Sequence, residues 1–116
     1  MWMHPPQKSI PSACVVLTTT ADPKEAELLA HTLVEERLVA CATIIPSIRS
    51  IYRWKGKVET GTETLLLLKT TSDLVPGLQT RLLALHSYET PEFLVLGVDS
   101  GSSAYLDWLQ SSLLKP

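Results

Sequence analysis

Apolar positions along this chain change period several times, and each change marks an element. The run "CVVLTTT" (14–20) is apolar and β-branched, which suits a buried strand. From residue 21 the period lengthens. Ala26, Leu29, Ala30, Leu33 and Val34 fall at i, i+3, i+4, i+7 and i+8, one apolar stripe of a helix. Asp22 before Pro23, with Glu25 three residues on, has the form of a capping box at that helix's start. "ACATIIPSIRSIYRWKGK" (40–57) is then extended in character for roughly fifteen residues, whereas an average strand has about five or six. Lys55 and Gly56 suit a tight hairpin turn. The return strand "VETGTETLLLLKTT" (58–71) begins polar and ends in Leu65–Leu68, which predicts a central strand covered on both faces. Pro46 cannot donate to a ladder, so a kink or bulge is expected there, dividing an inner half of the long strand from a projecting outer half.

Helical period returns through Leu74, Leu78, Leu82 and Leu85, with Ser72 placed as N-cap and Pro76 within the first turn. "EFLVLGV" (92–98) reads as the fourth strand. "SSAYLDWLQSSLL" (102–114) reads as a closing helix with Leu106, Leu109 and Leu113 on one side and Tyr105 and Trp108 beside them. The order β-α-β-β-α-β-α predicts an α+β fold: a ferredoxin-like βαββαβ sandwich with an extra C-terminal helix and a long projecting β-hairpin. Residues 1–12 read as a disordered N-terminal tail and residues 13–116 as one domain.

Composition narrows the function classes. The 116 residues are 45% hydrophobic, enough for a core, and their net charge of −2 offers no footprint for nucleic acid or an anionic membrane. The start, "MWMHPPQKSIPSA", has no continuous apolar segment, so it reads as neither signal peptide nor anchor, and His4 within it reads as solvated. Cys14 and Cys41, the only cysteines, fit reduced thiols in a cytoplasmic protein.

Two stretches carry candidate chemistry. The outer hairpin presents Ile48, Ile51, Tyr52 and Trp54, which would leave apolar surface and unpaired edges exposed in a lone chain. Arg49, Arg53, Lys55 and Lys57 lie across it from Glu59 and Glu63, within reach for ion pairs inside or between chains, although exposed pairs contribute little. In "HSYETPEFLVL" (86–96), Pro91 forces Thr90 away from helical angles and leads the chain into the fourth strand. A mere joint, however, does not need a histidine, a tyrosine and two carboxylates together. No Gly-rich phosphate loop or triad spacing accompanies them, so no enzymatic activity is expected.

"LVACATIIPSIRSIYRWKGKVE" (38–59), "LLLKTT" (66–71), "HSYETPEFLVL" (86–96) and "YLDWL" (105–109) resemble, in order, the signature blocks of the CutA family, the divalent-cation-tolerance proteins. The resemblance spans about residues 13–114. It implies a ferredoxin-like protomer in a tight cytosolic homotrimer with a role in tolerance of copper and other divalent cations. No cofactor is then required, and Cu(II) or another divalent cation is the candidate ligand.

For such a metal, His86, Cys41 and Glu89 are the candidate donors, with Glu92 nearby. Cys41 sits among small apolar residues and also reads as core, and His86 also reads as a helix-end cation on the dipole. Some family members place a thiol near the end of the first strand and paired histidines before Tyr-x-x-Pro-Glu; this chain has Thr18 and Leu85 there. The trimer implied by the resemblance would bring Lys69, Tyr88 and Glu92 of one chain near Tyr52 or Glu63 of another, with Trp54 in the interface, forming a polar intersubunit cleft. Glu92 there reads equally as half of an ion pair, a ligand or a proton-transfer group. The alternative is a P-II-like signalling or scaffold trimer that holds a small molecule, or an unidentified protein partner, at its clefts.

Overall fold

The computed structural model describes residues 12–115. Its elements run β1 (Ala13–Thr20), α1 (Pro23–Glu35), β2 (Cys41–Trp54), β3 (Lys57–Thr71), a 3₁₀ turn at Ser72–Leu74, α2 (Val75–Leu85), β4 (Leu94–Gly97) and α3 (Ser103–Ser111). The sheet order is β2-β3-β1-β4 with every neighbouring pair antiparallel, the ferredoxin-like arrangement expected from the order of elements. The tail reading of residues 1–11, His4 included, lies outside the described residues. Ser12 does not belong to a tail: its N–H donates to Ser72 Oγ at 3.1 Å, and its carbonyl accepts the Ser72 N–H.

Helix α1 begins as its capping residue dictates, Asp22 Oδ1 accepting the Glu25 N–H at 2.8 Å. The box is only half closed, because the Glu25 carboxylate turns away to Ser87. Ala26, Leu29, Ala30 and Leu33 are buried as the stripe requires, but Val34, at the stripe's margin, is 40% exposed. Ser72 opens the 3₁₀ turn and does not cap α2; that helix starts at Val75 with Pro76 in its first turn and no side-chain cap. Leu78 and Leu82 are buried, whereas Leu85 lies at the helix end and is exposed.

Both long helices pack on one face of the sheet, where Val16, Leu66 and Leu68 meet Leu29, Leu33, Leu78 and Leu82. Thr18 also points into this layer, fully buried, and its hydroxyl has no hydrogen-bond partner among the described residues. A buried orphan hydroxyl carries its desolvation cost with no return, so Thr18→Val should raise stability by about 1 kcal/mol. The urea midpoint at fixed protein concentration measures this; a lower midpoint would show that Thr18 has a partner.

The other face of the sheet is open, contrary to the expectation that Leu65–Leu68 would be covered on both sides. Leu65 and Leu67 are half-buried, as are their neighbours Val15 and Leu17, and Leu94 and Leu96 on edge strand β4 are exposed. Register sets these residues in rows: Cys41, Lys69, Val15 and Leu96; then Thr43, Leu67, Leu17 and Leu94. Cys41 therefore lies half-exposed on the open face, not in the core, and the buried thiol is Cys14, whose pKa burial raises. Helix α3 closes only one end of the sheet. Leu109 and Leu113 pack with Ala40 and Leu74, and Lys69 Nζ donates to the Tyr105 hydroxyl at 3.2 Å.

The hairpin turns at Lys55 and Gly56, both with positive φ, and the expected break falls beside Pro46. Ile45 pairs with Leu65 and Ile48 with Glu63, so Pro46 and Ser47 together oppose Thr64 alone. This is a bulge, with Ser47 left-handed at φ 60°. Its consequence is a change of face. Strict alternation from Ile45 would place Arg49, Ile51 and Arg53 on the open side; the extra residue places Ile48, Ser50, Tyr52 and Trp54 there instead. Pro46 thereby extends the apolar open face along the hairpin.

Candidate functional site

The segment after α2 is fixed by a buried histidine. The His86 side chain is 0% exposed. Its Nε2 lies 2.7 Å from the Thr19 carbonyl, an acceptor, and its Nδ1 accepts the Tyr88 N–H at 3.0 Å. With Nδ1 accepting from Tyr88, Nε2 is the ring donor to the Thr19 carbonyl, and the Glu25 carboxylate lies 3.6 Å from Nδ1. Its backbone N–H bonds to the Leu82 carbonyl and ends the helix, but the ring turns inward under β1 instead of meeting the dipole as a solvated cation. Glu25 completes the lock from α1, accepting the N–H and Oγ–H of Ser87 at 2.9 and 2.8 Å. Thus α1, β1 and the segment leading to β4 are tied together by one ring and one carboxylate.

Tyr88, so held, reaches the root of the hairpin, where its hydroxyl donates to Glu63 Oε2 at 2.7 Å. Burial and the adjoining Glu63 carboxylate push the Tyr88 phenol well above its ordinary range, so it remains a donor. At Glu63, burial favours the neutral acid, but hydrogen bonds from Ser50, Tyr88 and Thr19 outweigh it and hold the carboxyl below its ordinary value. A folded pKa below the unfolded one means stability that is present above the ordinary glutamate range, near pH 4.3, and lost as pH falls through the folded value. The urea midpoint should therefore fall less steeply in Glu63→Gln than in wild type below about pH 4.3. Parallel acid limbs would contradict this assignment.

Around the Tyr88–Glu63 bond lies a cleft of about 600 Å³ lined by Thr19, Ser50, Ile51, Tyr52, Trp54, Glu63, Tyr88, Glu89, Thr90 and Glu92. One chain thus brings together Tyr52, Trp54, Glu63, Tyr88 and Glu92, which sequence reasoning had divided between neighbouring chains. Lys69 is not among them: it sits toward the other end of β3, against Tyr105. Among the described residues the hairpin cations make no ion pair with Glu59 or Glu63, and Arg53 Nη1 donates instead to the Gly56 carbonyl. Glu92 likewise faces no Lys or Arg partner among the described residues.

The three metal candidates do not converge. Cys41 shares a row with Val15, whereas His86 bonds to Thr19 four residues along β1, about 13 Å away at the usual strand rise. Glu89 lines the cleft, and both His86 ring nitrogens are engaged behind it. Among the described residues no group of three or more His, Cys, Asp or Glu is placed to hold a metal ion. The side chains present do not fit a resident metal centre in one chain. No helix among them is long and apolar enough to cross a membrane.

Sequence reasoning missed the His86–Thr19 and Glu25–Ser87 bonds, whose partners are 67 and 62 residues apart. The only local signal was a histidine at a helix end next to a tyrosine.

Comparison with known proteins places this architecture. The sequence profile described as "CutA1 divalent ion tolerance protein" matches residues 14–112. The divalent-cation tolerance protein CutA of Thermus thermophilus is 47% identical over 98 residues, covering 84% of this chain and 95% of its own. A solved structure of the divalent cation tolerance protein from Thermus thermophilus superposes with a TM-score of 0.85 at 46% identity, over 87% of this chain and 98% of that one. The crystal structure of CutA1 from Oryza sativa gives a TM-score of 0.89 at 35% identity, over 94% of this chain and 100% of the other. A ferredoxin-like sheet with one open face, a bulged overlong hairpin and signature blocks matched across nearly the whole chain lead to one assignment. The chain belongs to the CutA1 divalent ion tolerance family.

Proposed function

We propose that this protein acts in divalent-cation tolerance as a homotrimer without catalytic activity, and that its effect is exerted by the assembly and its clefts instead of by a chelating site within one chain. The observation that carries this reading is the continuous apolar surface formed by Val15, Leu17, Leu65, Leu67, Leu94 and Leu96 and extended by Ile48, Tyr52 and Trp54. Exposed apolar area on this scale, beside the unpaired outer edge of β4, is what an obligate interface covers. The relatives' names supply the tolerance role, and the dispersed donors argue against a tight copper site.

Calorimetric titration of the assembled protein with Cu(II) at neutral pH tests the metal part. The expected result is weak uptake that His86→Ala and Cys41→Ser both leave unchanged, because the ring is enclosed and the thiol stands on the face that the assembly covers. Tight stoichiometric binding lost with His86 would overturn this reading.

A second reading, a P-II-like trimer that holds a small molecule, is favoured by the cleft. It is of ligand size and has its walls already set by the His86–Tyr88–Glu63 chain of bonds.

A further inference from the structure

We propose that α1 carries a surface chelate for a divalent cation, with His31 as its imidazole donor and Glu27 and Glu35, one turn to either side, as its carboxylates. The chelate is where weak copper uptake by the assembled protein resides, and it rests on the reading that neither His86 nor Cys41 holds the ion.

Copper favours imidazole, thiolate and thioether donors, and few of these are open to it once the chains assemble. The His86 ring is enclosed, the Cys14 thiol is buried, and Cys41 stands on the face that assembly covers. Among the described residues His31 is the exposed imidazole, its side chain 84% exposed. Its place on α1 keeps it free in the trimer as well. Ala26, Leu29, Ala30 and Leu33 take the side of α1 that packs on the sheet, and assembly uses the opposite face of that sheet, so the outward side of the helix meets solvent.

Helix geometry supplies the spacing of the donors. Residues four apart stand on neighbouring turns of one face, so Glu27, His31 and Glu35 form a single row with the histidine in the middle. His31 Nε2 already lies 3.6 Å from Glu27 Oε2. An ion bonded to each at about 2.0–2.2 Å holds those two atoms about 3 Å apart, a difference that a small rotation of either exposed side chain supplies. Glu35 is exposed and makes no ion pair among the described residues, so its carboxylate is available for a third position and water for the rest. The neighbouring carboxylates are not: Glu25 is held by Ser87 and Glu36 by Arg81.

The surrounding charge suits a cation. Asp22 and Glu25 line the same shallow groove as Glu27 and His31, against the single ammonium of Lys24. As an exposed ion pair Glu27 and His31 contribute little to the fold, so an ion displaces nothing the helix depends on. No three donors converge among the described residues, and the affinity is accordingly that of an open chelate that takes up and gives back its ion.

The test is a calorimetric titration of the assembled protein with Cu(II) at neutral pH, in a His4→Ala background so that His31 and His86 are the imidazoles present. One ion per chain is expected. His31→Ala should weaken uptake at least about tenfold, since even a partner that only orients a ligand commonly counts for that much. Glu27→Gln and Glu35→Gln should each weaken it several-fold. These changes put good helix formers at exposed helical positions, so the fold should persist, and light scattering on the same samples checks the mass. No uptake of Cu(II), or uptake that His31→Ala leaves undiminished, would overturn the inference. In the second case, loss of uptake with His86→Ala or Cys41→Ser would overturn the reading on which it rests as well, whereas uptake that survives those changes too would overturn this inference alone.

Discussion

His86→Ala is expected to lower the stability of the folded chain by about 3 kcal/mol, the largest loss foreseen for a residue outside the apolar core. Truncation removes one buried and one part-buried hydrogen bond and leaves the Thr19 carbonyl and the Tyr88 N–H without these partners. Each orphaned group costs about 1–3 kcal/mol, and the vacated ring volume adds a cavity term. Tyr88 is then no longer held at the angle that delivers its hydroxyl to Glu63, so the cleft should loosen with the fold. Urea unfolding at fixed protein concentration, with Gln79→Ala as the exposed control, measures the effect. A loss below about 1 kcal/mol would show that the ring contributes little, as expected of a solvated helix-end cation.

Trp54→Ala is expected to weaken assembly by about 2 kcal/mol or more per chain, against about 0–1 kcal/mol for Lys57→Ala. The two residues are directly paired across the hairpin, yet they differ in kind. Trp54 is 46% exposed in one chain and stands on the side that the bulge turns toward the open sheet face, so a neighbouring chain has a large aromatic surface to cover. Lys57 is a solvated cation beside the turn, with no ion pair among the described residues. Dissociation followed by light scattering on dilution compares them; equal shifts would mean that Trp54 lies outside the interface.

Much of this architecture was legible because it is local. The period changes marked the strands and helices, Asp22 marked the start of α1, Lys55 and Gly56 marked the turn, and Pro46 marked the bulge. Side-chain facing was harder to read. Leu65–Leu68 in a row give no alternation with which to tell a strand covered on both faces from one awaiting a partner, and Leu65 and Leu67 stand outside the core of the single chain. Cys41 was misplaced for a related reason: its small neighbours Ala40 and Ala42 resemble core packing, yet alternation turns the thiol toward Lys69 on the open face. Ser72 has the chemistry of an N-cap, but tertiary bonding to Ser12 claims it.

The candidate site was legible in its residues and not in its bonds. Tyr52, Trp54, Glu63, Tyr88 and Glu92 stood out as polar and aromatic side chains in excess of what a hairpin and a joint require, and they line one cleft. Lys69 stood out on the same grounds and is elsewhere, because position along β3 and not residue type decides which end of the sheet a side chain reaches. The enclosed placement of the His86 ring depends on Thr19 and Tyr88 at once, a relation that sequence spacing does not carry.

Assembly through the open face can be read directly by light scattering across a dilution series. One species at three times the mass of a single chain is expected, persisting as the protein is diluted through the micromolar range, because an interface made of sheet face and hairpin leaves little independent stability to the separated chain. A monodisperse monomer across that range would contradict it, leaving Leu17, Leu67, Leu94 and Trp54 exposed with nothing to cover them.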